Sequence, residues 1–262
     1  MANTLIMESK NSIDINADLG EFRNEKQLTN ELNILKYISS CSVACGGHIG
    51  DSESIKLIIE VCKESDIVIG AHPSYPDRQG FGRRTIDINI HELEDSIRKQ
   101  IELFFKVAQS LSMPVKHIKL HGKLYNEAAK EEKLANLFLK VVSSFDKNLS
   151  VIGPANSLLE RMTMKARISF IPEAFIDRRY REDHRLVERN QEGAVLESIK
   201  DQISQAKSIV LDQKVLTDNK KNIDIKAETL CIHGDNPNSL KVVRAVCDML
   251  KTENINIQSY SS

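Results

Sequence analysis

Tryptophan is missing from this 262-residue chain, and aromatic residues of all kinds make up only 5% of it. A core built without many large rings must rest on Ile, Leu and Val, which suits the aliphatic strands of a buried parallel sheet. A surplus of either charge is missing too: 36 basic and 37 acidic side chains leave a net charge of -1. That balance excludes the strongly basic surface used to hold nucleic acid or an anionic membrane. No segment approaches the roughly 18 apolar residues of a membrane span. The opening MANTLIMESK lacks the basic start and apolar stretch of a signal peptide. A soluble, unexported, cytoplasmic protein is therefore expected. The cysteines are Cys41, Cys45, Cys62, Cys231 and Cys247. Their odd number and scatter through apolar segments argue against a disulfide framework. Cys41 and Cys45 have no second pair to complete a zinc ribbon.

Several nucleotide and hydrolase signatures are also absent. There is no G-x-x-x-x-G-K-[ST] phosphate loop, no G-x-G-x-x-G after the first strand and no G-x-S-x-G elbow. What the chain does have is alternation. Short aliphatic runs read as strands at Ser12–Ala17, Ser42–Cys45, Asp66–Ala71, Val115–Leu120, Leu149–Ile152, Arg167–Ile171 and Thr229–Ile232. Amphipathic segments lie between them. Asp51 is placed to cap a helix carrying Ile55, Ile58, Ile59 and Cys62 on one stripe. Asn89 and Glu92 have capping-box spacing before Leu93, Ile97, Ile101, Phe104 and Ala108. Further helices are read at Asn24–Ile38, Glu127–Phe145, Asn156–Lys165 and after Asn238, and Arg178–Gly193 reads as a long polar loop. Repeated β-then-α units imply a parallel sheet with helices outside it. Seven units without a dinucleotide fingerprint favour a closed barrel over an open sheet.

In such folds the active site lies at the carboxyl ends of the strands. The first strand runs into Asn16, Asp18 and Glu21, and the second into Cys45-Gly-Gly-His48. The third ends at His72, the fourth at Lys119-Leu-His121, the sixth at Glu173 and then Asp177-Arg178, and the seventh at His233. One histidine after a strand is ordinarily structural, but four at the same end of one sheet point to a shared site. His91, His117 and His184 do not share that setting. Asp18 is placed to act as a base or metal ligand at the barrel mouth. Asp51 is explained by capping, Asp235 by a turn with Asn236-Pro237, and Cys45 by burial as a small hydrophobe. The stretch Gly70–Arg84 carries two prolines and three glycines, and forms a shaped loop ending in Arg83 and Arg84. Those arginines either grip a carboxylate on a ligand or pair with Asp77 to brace the loop.

At these residues the chain resembles the LamB/YcsF family. The matching blocks are NADLGE at 16–21, ACGGHIGD at 44–51, Gly70–Arg84, HIKLHGKLYN at 117–126, EAFIDRRY at 173–180 and CIHGDNP at 231–237. They run in family order across Ile13–Ile257. This chain departs from the usual pattern at Gly47 (usually Phe), Ser74 (Gly), Leu120 (Pro), Lys123 (a small residue) and His184 (Gly). The resemblance implies a seven-stranded (β/α) barrel of the glycoside hydrolase/deacetylase type, filling residues 12–258 after an N-terminal tail at 1–11. It implies ATP-dependent 5-oxoprolinase activity, converting 5-oxo-L-proline, ATP and water to L-glutamate, ADP and phosphate. The family's chain is an A subunit working with partner subunits B and C.

The expected catalytic groups are Asp18, His48, His72, His121, Glu173 and His233. The expected substrate contacts are Asn16, Glu21, Arg83, Arg84, Lys119, Asn126, Asp177 and Arg178. ATP enters as a co-substrate, bound either by the partners, since no ATP motif stands out here, or by this chain. Two other readings stay open. One is a stand-alone metal-dependent deacetylase or amidohydrolase with a divalent metal on Asp18, His48 and His72. The other is a non-catalytic small-molecule binding subunit.

Overall fold

A computed structural model describes residues 11–234 and 238–260. The expected tail, save Asn11, and the expected turn at Asp235 lie outside the described residues. In chain order the elements are β1 (Ser12–Leu19), α1 (Glu25–Ile34), β2 (Ser40–Ala44), α2 (Ser52–Glu64), β3 (Val68–His72), α3 (Ile90–Ser110), β4 (Val115–Lys119), α4 (Gly122–Ala128), α5 (Glu132–Val142), β5 (Ser150–Pro154), α6 (Leu158–Lys165), β6 (Ser169–Phe175), α7 (Ile199–Lys207), β7 (Lys214–Leu216), β8 (Asn222–Asp224), β9 (Thr229–His233), α8 (Ser239–Thr252) and β10 (Asn256–Ile257).

Strands β1 to β6 pair in sequence, β9 pairs with β6, and β9 returns to β1, closing a parallel barrel of seven strands. These are the seven strands expected from the sequence. The short β10 adds to the start of β1, and β7 and β8 form a separate antiparallel hairpin. The sixth strand runs on to Phe175, past the expected end at Ile171. Pro172 lacks an N–H but its carbonyl still accepts from Glu228 N at 2.7 Å, so the strand continues and carries Glu173. The single helix expected at Glu127–Phe145 is two helices, with a turn at Ala129–Glu131. The Ala129 carbonyl, released by that turn, accepts from Leu158 N at 2.9 Å. Helix α7 escapes the sequence pattern because its buried face includes Gln202 and Gln205. Gln205 uses its amide to hold the carbonyls of Phe175 and Arg178.

Local capping follows the sequence. Asp51 accepts from Glu53 N and Ser54 N, and Ser54 returns a bond to Asp51 N, completing a box with Ser in place of the usual acid. Asn89 caps α3 by accepting from His91 N at 2.8 Å, without the reciprocal box expected with Glu92.

Alternation along β1 shows where the core sits. Ile13, Ile15, Ala17 and Leu19 are buried in the main apolar cluster with the helices. There they join Ile58 of α2 and Phe104 of α3. Asp14, Asn16 and Asp18 face the other way, into the barrel. The barrel interior is therefore polar, and the apolar core is the shell between strands and helices. At the floor, Asp14 accepts from Ser39, Ser40 and Thr229. His117 joins Ser42 at 3.0 Å and the hydroxyl of Tyr260. Burial pushes the His117 imidazole down to about 3, so it stays neutral.

Gly70 leaves room for that ring, since a Cβ there would lie 2.3 Å from the His117 imidazole. His117 is held on both ring nitrogens and has nowhere to move. Gly70→Ala is expected to lower stability by about 1–3 kcal/mol. A reduced midpoint in denaturant unfolding at unchanged slope checks it, and an unchanged midpoint counts against the packing argument.

Candidate functional site

At the carboxyl ends of the strands a cavity of about 820 Å³ opens between the loops after β3, β4 and β6. Its floor is set by Lys119. The ammonium lies inside the barrel, 1% exposed. It donates to Asn16 Oδ1 at 3.0 Å and Asp18 Oδ1 at 2.9 Å, and lies 2.6 Å from Glu173 Oε1. Cys231 Sγ is 3.3 Å away and the Phe175 ring 5.8 Å. Burial alone would strip its proton, but Asp18, Cys231 and Glu173 outweigh that and hold the ammonium well above its usual range. Burial likewise opposes ionisation of Asp18, but His72 and Lys119 prevail and keep its carboxyl well below the usual range. Asp18 is thus a fixed anion. Glu173 is tied further by Asn16 Nδ2 at 2.9 Å and the Tyr125 hydroxyl at 2.6 Å.

Three histidines gather beside Asp18. His48 and His121 stack with centroids 3.6 Å apart, and His72 meets both edge-on. Their outer nitrogens are committed. His72 Nδ1 donates to Lys119 O at 2.8 Å, and His121 Nε2 donates to Phe81 O at 3.0 Å. Ser74 Oγ gives its proton to Tyr75 O, so it accepts from His48 Nδ1 at 3.0 Å. All three inner nitrogens therefore turn toward the acids. His72 Nε2 and His121 Nδ1 face each other at 3.0 Å. Two neutral rings so tethered would oppose bare lone pairs, so a proton or a metal cation belongs between them. Burial lowers both His48 and His121 toward the neutral form. Glu21 Oε1 reaches His48 Nε2 at 2.8 Å and His121 Nδ1 at 3.3 Å.

His233 stands on the other side of Asp18, its register partner across β1 and β9. Its Nδ1 donates to Asp177 Oδ2 at 2.8 Å, and its ring stacks on Phe175. Burial works against the Asp177 anion, but His233 outweighs it and lowers the carboxyl. Of the four strand-end histidines, His72 and His121 lie on one side of Asp18 and His233 on the other, while His48 faces Glu21.

The remaining expected residues separate. Asp18, Glu21, His72, Lys119, His121 and His233 line the cavity. So do Arg83, Asn126 and Arg178. Asn126 spends its amide on Gly122 O at 2.8 Å. Asn16, His48, Glu173 and Asp177 are buried and lie outside the cavity lining. Arg84 is a correction: it does not line the cavity. Asp77, fixed by Gly80 N, pairs with its guanidinium and turns it along the loop. The ligand set Asp18, His48 and His72 is also redistributed. Among the described residues, donor atoms within 4.8 Å of one another group as Asp18, His72 and His121, as Glu21, His48 and His121, and as Asp18, Cys231 and His233. His48 is drawn off by Glu21 and Ser74.

Some contributors were not read from the sequence. Phe81 adopts a left-handed backbone (φ 55°) that aims its carbonyl at His121, and Gly82 (φ 63°) follows it. A Cβ on Gly82 would press on His121, His48 and Ser74 at 3.0–3.3 Å. Ser74 and Gly47 belong together: a Cβ at Gly47 would lie 2.4 Å from Ser74 Oγ and 2.3 Å from Gln100 Oε1. Ser74, which orients His48, thus takes space that a glycine at position 47 leaves open. Tyr125 sits inside the HGKLYN block without having been singled out.

Glu31 is a further contributor. It is 4% exposed on α1, and its carboxyl accepts from Gly20 N at 2.7 Å and Glu21 N at 3.1 Å. An acid on the stripe shared with Leu28 and Ile34 was the available signal. Glu31→Gln turns one acceptor into a donor facing a backbone N–H. A loss of about 1–3 kcal/mol is expected, with Glu21 displaced from the histidines. Chemical denaturation measures the first; a midpoint equal to that of the parent chain defeats the assignment.

With this geometry described, similarity to known proteins takes on meaning. A Campylobacter jejuni protein, named as the A subunit of 5-oxoprolinase, is 38% identical over 245 residues, covering 94% of this chain and 96% of its own length. A Staphylococcus epidermidis protein of the same name is 36% identical over 250 residues, covering 95% and 99%. A solved structure, the lactam utilization protein of Thermus thermophilus, superposes with a TM-score of 0.86 at 29% identity, covering 95% of this chain and all of that one. Residues 13–262 match the LamB/YcsF family, and the chain belongs to it.

Proposed function

We propose that this chain is the A subunit of an ATP-dependent 5-oxoprolinase, opening the lactam ring of 5-oxo-L-proline to L-glutamate at the mouth of its barrel. The observation that carries the reading is Asp18 set between two kinds of histidine, under a cavity flanked by Arg83 and Arg178. Near-full-length similarity to proteins named as 5-oxoprolinase A subunits supports it.

A lactam carbonyl is a poor electrophile. ATP makes it a better one by phosphorylating the amide oxygen, and that step falls to partner subunits B and C, since this chain has no phosphate loop. Here a water bonds to the activated carbon and the ring C–N bond breaks, leaving an acyl phosphate that a second water hydrolyses to the carboxylate and inorganic phosphate. The water must lose a proton and the leaving nitrogen must gain one. Where no metal occupies their inner nitrogens, the His72–His121 pair takes the first proton, and Asp18 stabilises the positive charge that results. His233, held by Asp177, delivers the second. Lys119 keeps Asp18 ionised and in place, so Asp18 supports the base rather than serving as one.

The donor set also fits a divalent cation. Asp18, His72 and His121 offer ligand atoms within 4.8 Å of one another, with His72 Nε2 3.0 Å from His121 Nδ1 and 3.3 Å from Asp18 Oδ2. Donors of a tetrahedral site lie about 3.4 Å apart. The outer nitrogens already donate to carbonyls, as ligating histidines do. A metal there would supply Lewis-acid polarisation and an acidified water.

Two measurements test these readings. Asp18→Asn, assayed with both partner subunits, is expected to cut 5-oxoproline turnover by about 100-fold or more while largely keeping affinity. Equal losses in both would make this a binding subunit instead, and ATP consumption by this chain alone with 5-oxoproline would overturn the division of labour. Metal analysis of fresh protein is expected to find about one divalent ion per chain. Chelation should remove ion and activity together; full activity in metal-free protein leaves a proton between His72 and His121.

A further inference from the structure

The cavity is built for more charge than one carboxylate carries. Its lining includes six arginines, Arg83, Arg161, Arg178, Arg181, Arg185 and Arg189. Lys119, Lys123 and Lys130 add three more cations, against five acids, Asp18, Glu21, Glu127, Asp183 and Glu188. Three of the acids are engaged at the floor or rim: Asp18 with Lys119, Glu127 with Lys123, Asp183 with Arg185.

Arg178 is the telling residue. It is only 6% exposed, yet its Nε has no hydrogen-bond partner. Its Nη2 donates to Val187 O at 2.6 Å, a neutral carbonyl. A buried guanidinium with an unused N–H is costly unless something completes it. Burial lowers its pKa most, Asp177 opposes that, and Arg189 and Arg83 lower it again, so those two cations lie within its field. Arg83 also reaches toward the histidines: its guanidinium lies 5.0 Å from the Phe81 ring, which packs edge-on against His48 and His121. The arginine wall and the histidine floor are therefore neighbours.

We infer that Arg178, with Arg83 and Arg189 around it, forms a site for the phosphoryl group of a small activated substrate. A phosphoryl dianion offers three acceptor oxygens, enough to use the Arg178 Nε and to draw several guanidiniums together. The long loop after β6 that carries Arg178 and Arg189 folds back through bridges from Arg178 to Val195 and Tyr180 to Leu186, fixing the wall in place. This rests on the 5-oxoprolinase reading for the identity of the ring, but not for the phosphoryl group. The reaction that supplies the ligand is then a nucleotide-dependent phosphorylation of an amide oxygen, performed elsewhere and delivered here.

Inorganic phosphate is the probe, titrated calorimetrically into the complete chain at about pH 8, where it is a dianion. Wild type is expected to bind it, and Arg178→Gln to weaken it about tenfold or more. Arg98→Gln, on α3 outside the cavity lining and paired to Glu94, should bind as wild type does. Arg189→Gln serves as a second variant if Arg178→Gln fails to fold, with a loss of the same sign. No phosphate binding by wild type, or equal binding by Arg178→Gln or Arg189→Gln, overturns the site. Tighter binding of ATP or ADP than of phosphate, lost in the same variants, makes it a nucleotide site and overturns the small-substrate assignment. Acetate bound as well as phosphate reduces it to a carboxylate clamp and overturns the phosphoryl assignment. Normal phosphate binding without 5-oxoproline turnover in the full complex defeats the proposed function and leaves the phosphoryl site standing.

Discussion

Everything at the barrel mouth depends on one buried ammonium. Lys119 joins β4 to β1 through Asn16 and Asp18, and to β6 through Glu173. A charge that deep is tolerable only with full compensation, and the compensating groups come from opposite walls. The arrangement holds Asp18 as an anion at the point where the histidines meet. It also explains why the barrel can dispense with an aliphatic filling. Hydroxyls, amides and ions satisfy one another inside, while Ile, Leu and Val do the apolar packing outside.

The histidines extend that logic outward. Each outer ring nitrogen is committed, two to backbone carbonyls and one to Ser74, so each inner nitrogen has one direction to face. The loop after β3 supplies much of this second layer. Phe81 accepts a left-handed backbone to present its carbonyl, and Gly82 lets the loop come close. Backbone strain of this kind persists where surrounding contacts over-determine it, and it tends to collect at functional sites.

Charge is divided by position in the cavity. The floor is a balanced set of acids, histidines and one lysine; the wall from the loop after β6 is rich in arginine. The histidine and carboxylate floor and the guanidinium-rich wall therefore sit side by side without sharing residues. His233 belongs to neither the wall nor the triple histidine group, and its own acid, Asp177, gives it a separate role.

Strand identity was legible in the sequence because aliphatic runs and their turn residues are local signals. All seven barrel strands were found that way, and with them the strand-end positions of Asp18 and the four histidines. Local signals failed where a residue served a distant partner. The aliphatic run ends at Ile171, yet the strand continues past Pro172 to Phe175. Gln202 and Gln205 lie on a helix that carries no clear apolar stripe, and they face inward to hold carbonyls. Arg83 and Arg84 are adjacent and alike, yet one enters the cavity and the other braces Asp77. By itself the sequence determined the barrel, its closure from repeated β/α units and the end at which chemistry collects. Only the tertiary structure decided which nitrogens face inward, which acid each histidine meets and which arginine is buried unsatisfied. Those depend on side-chain directions across strands far apart in the chain, and no local pattern encodes them.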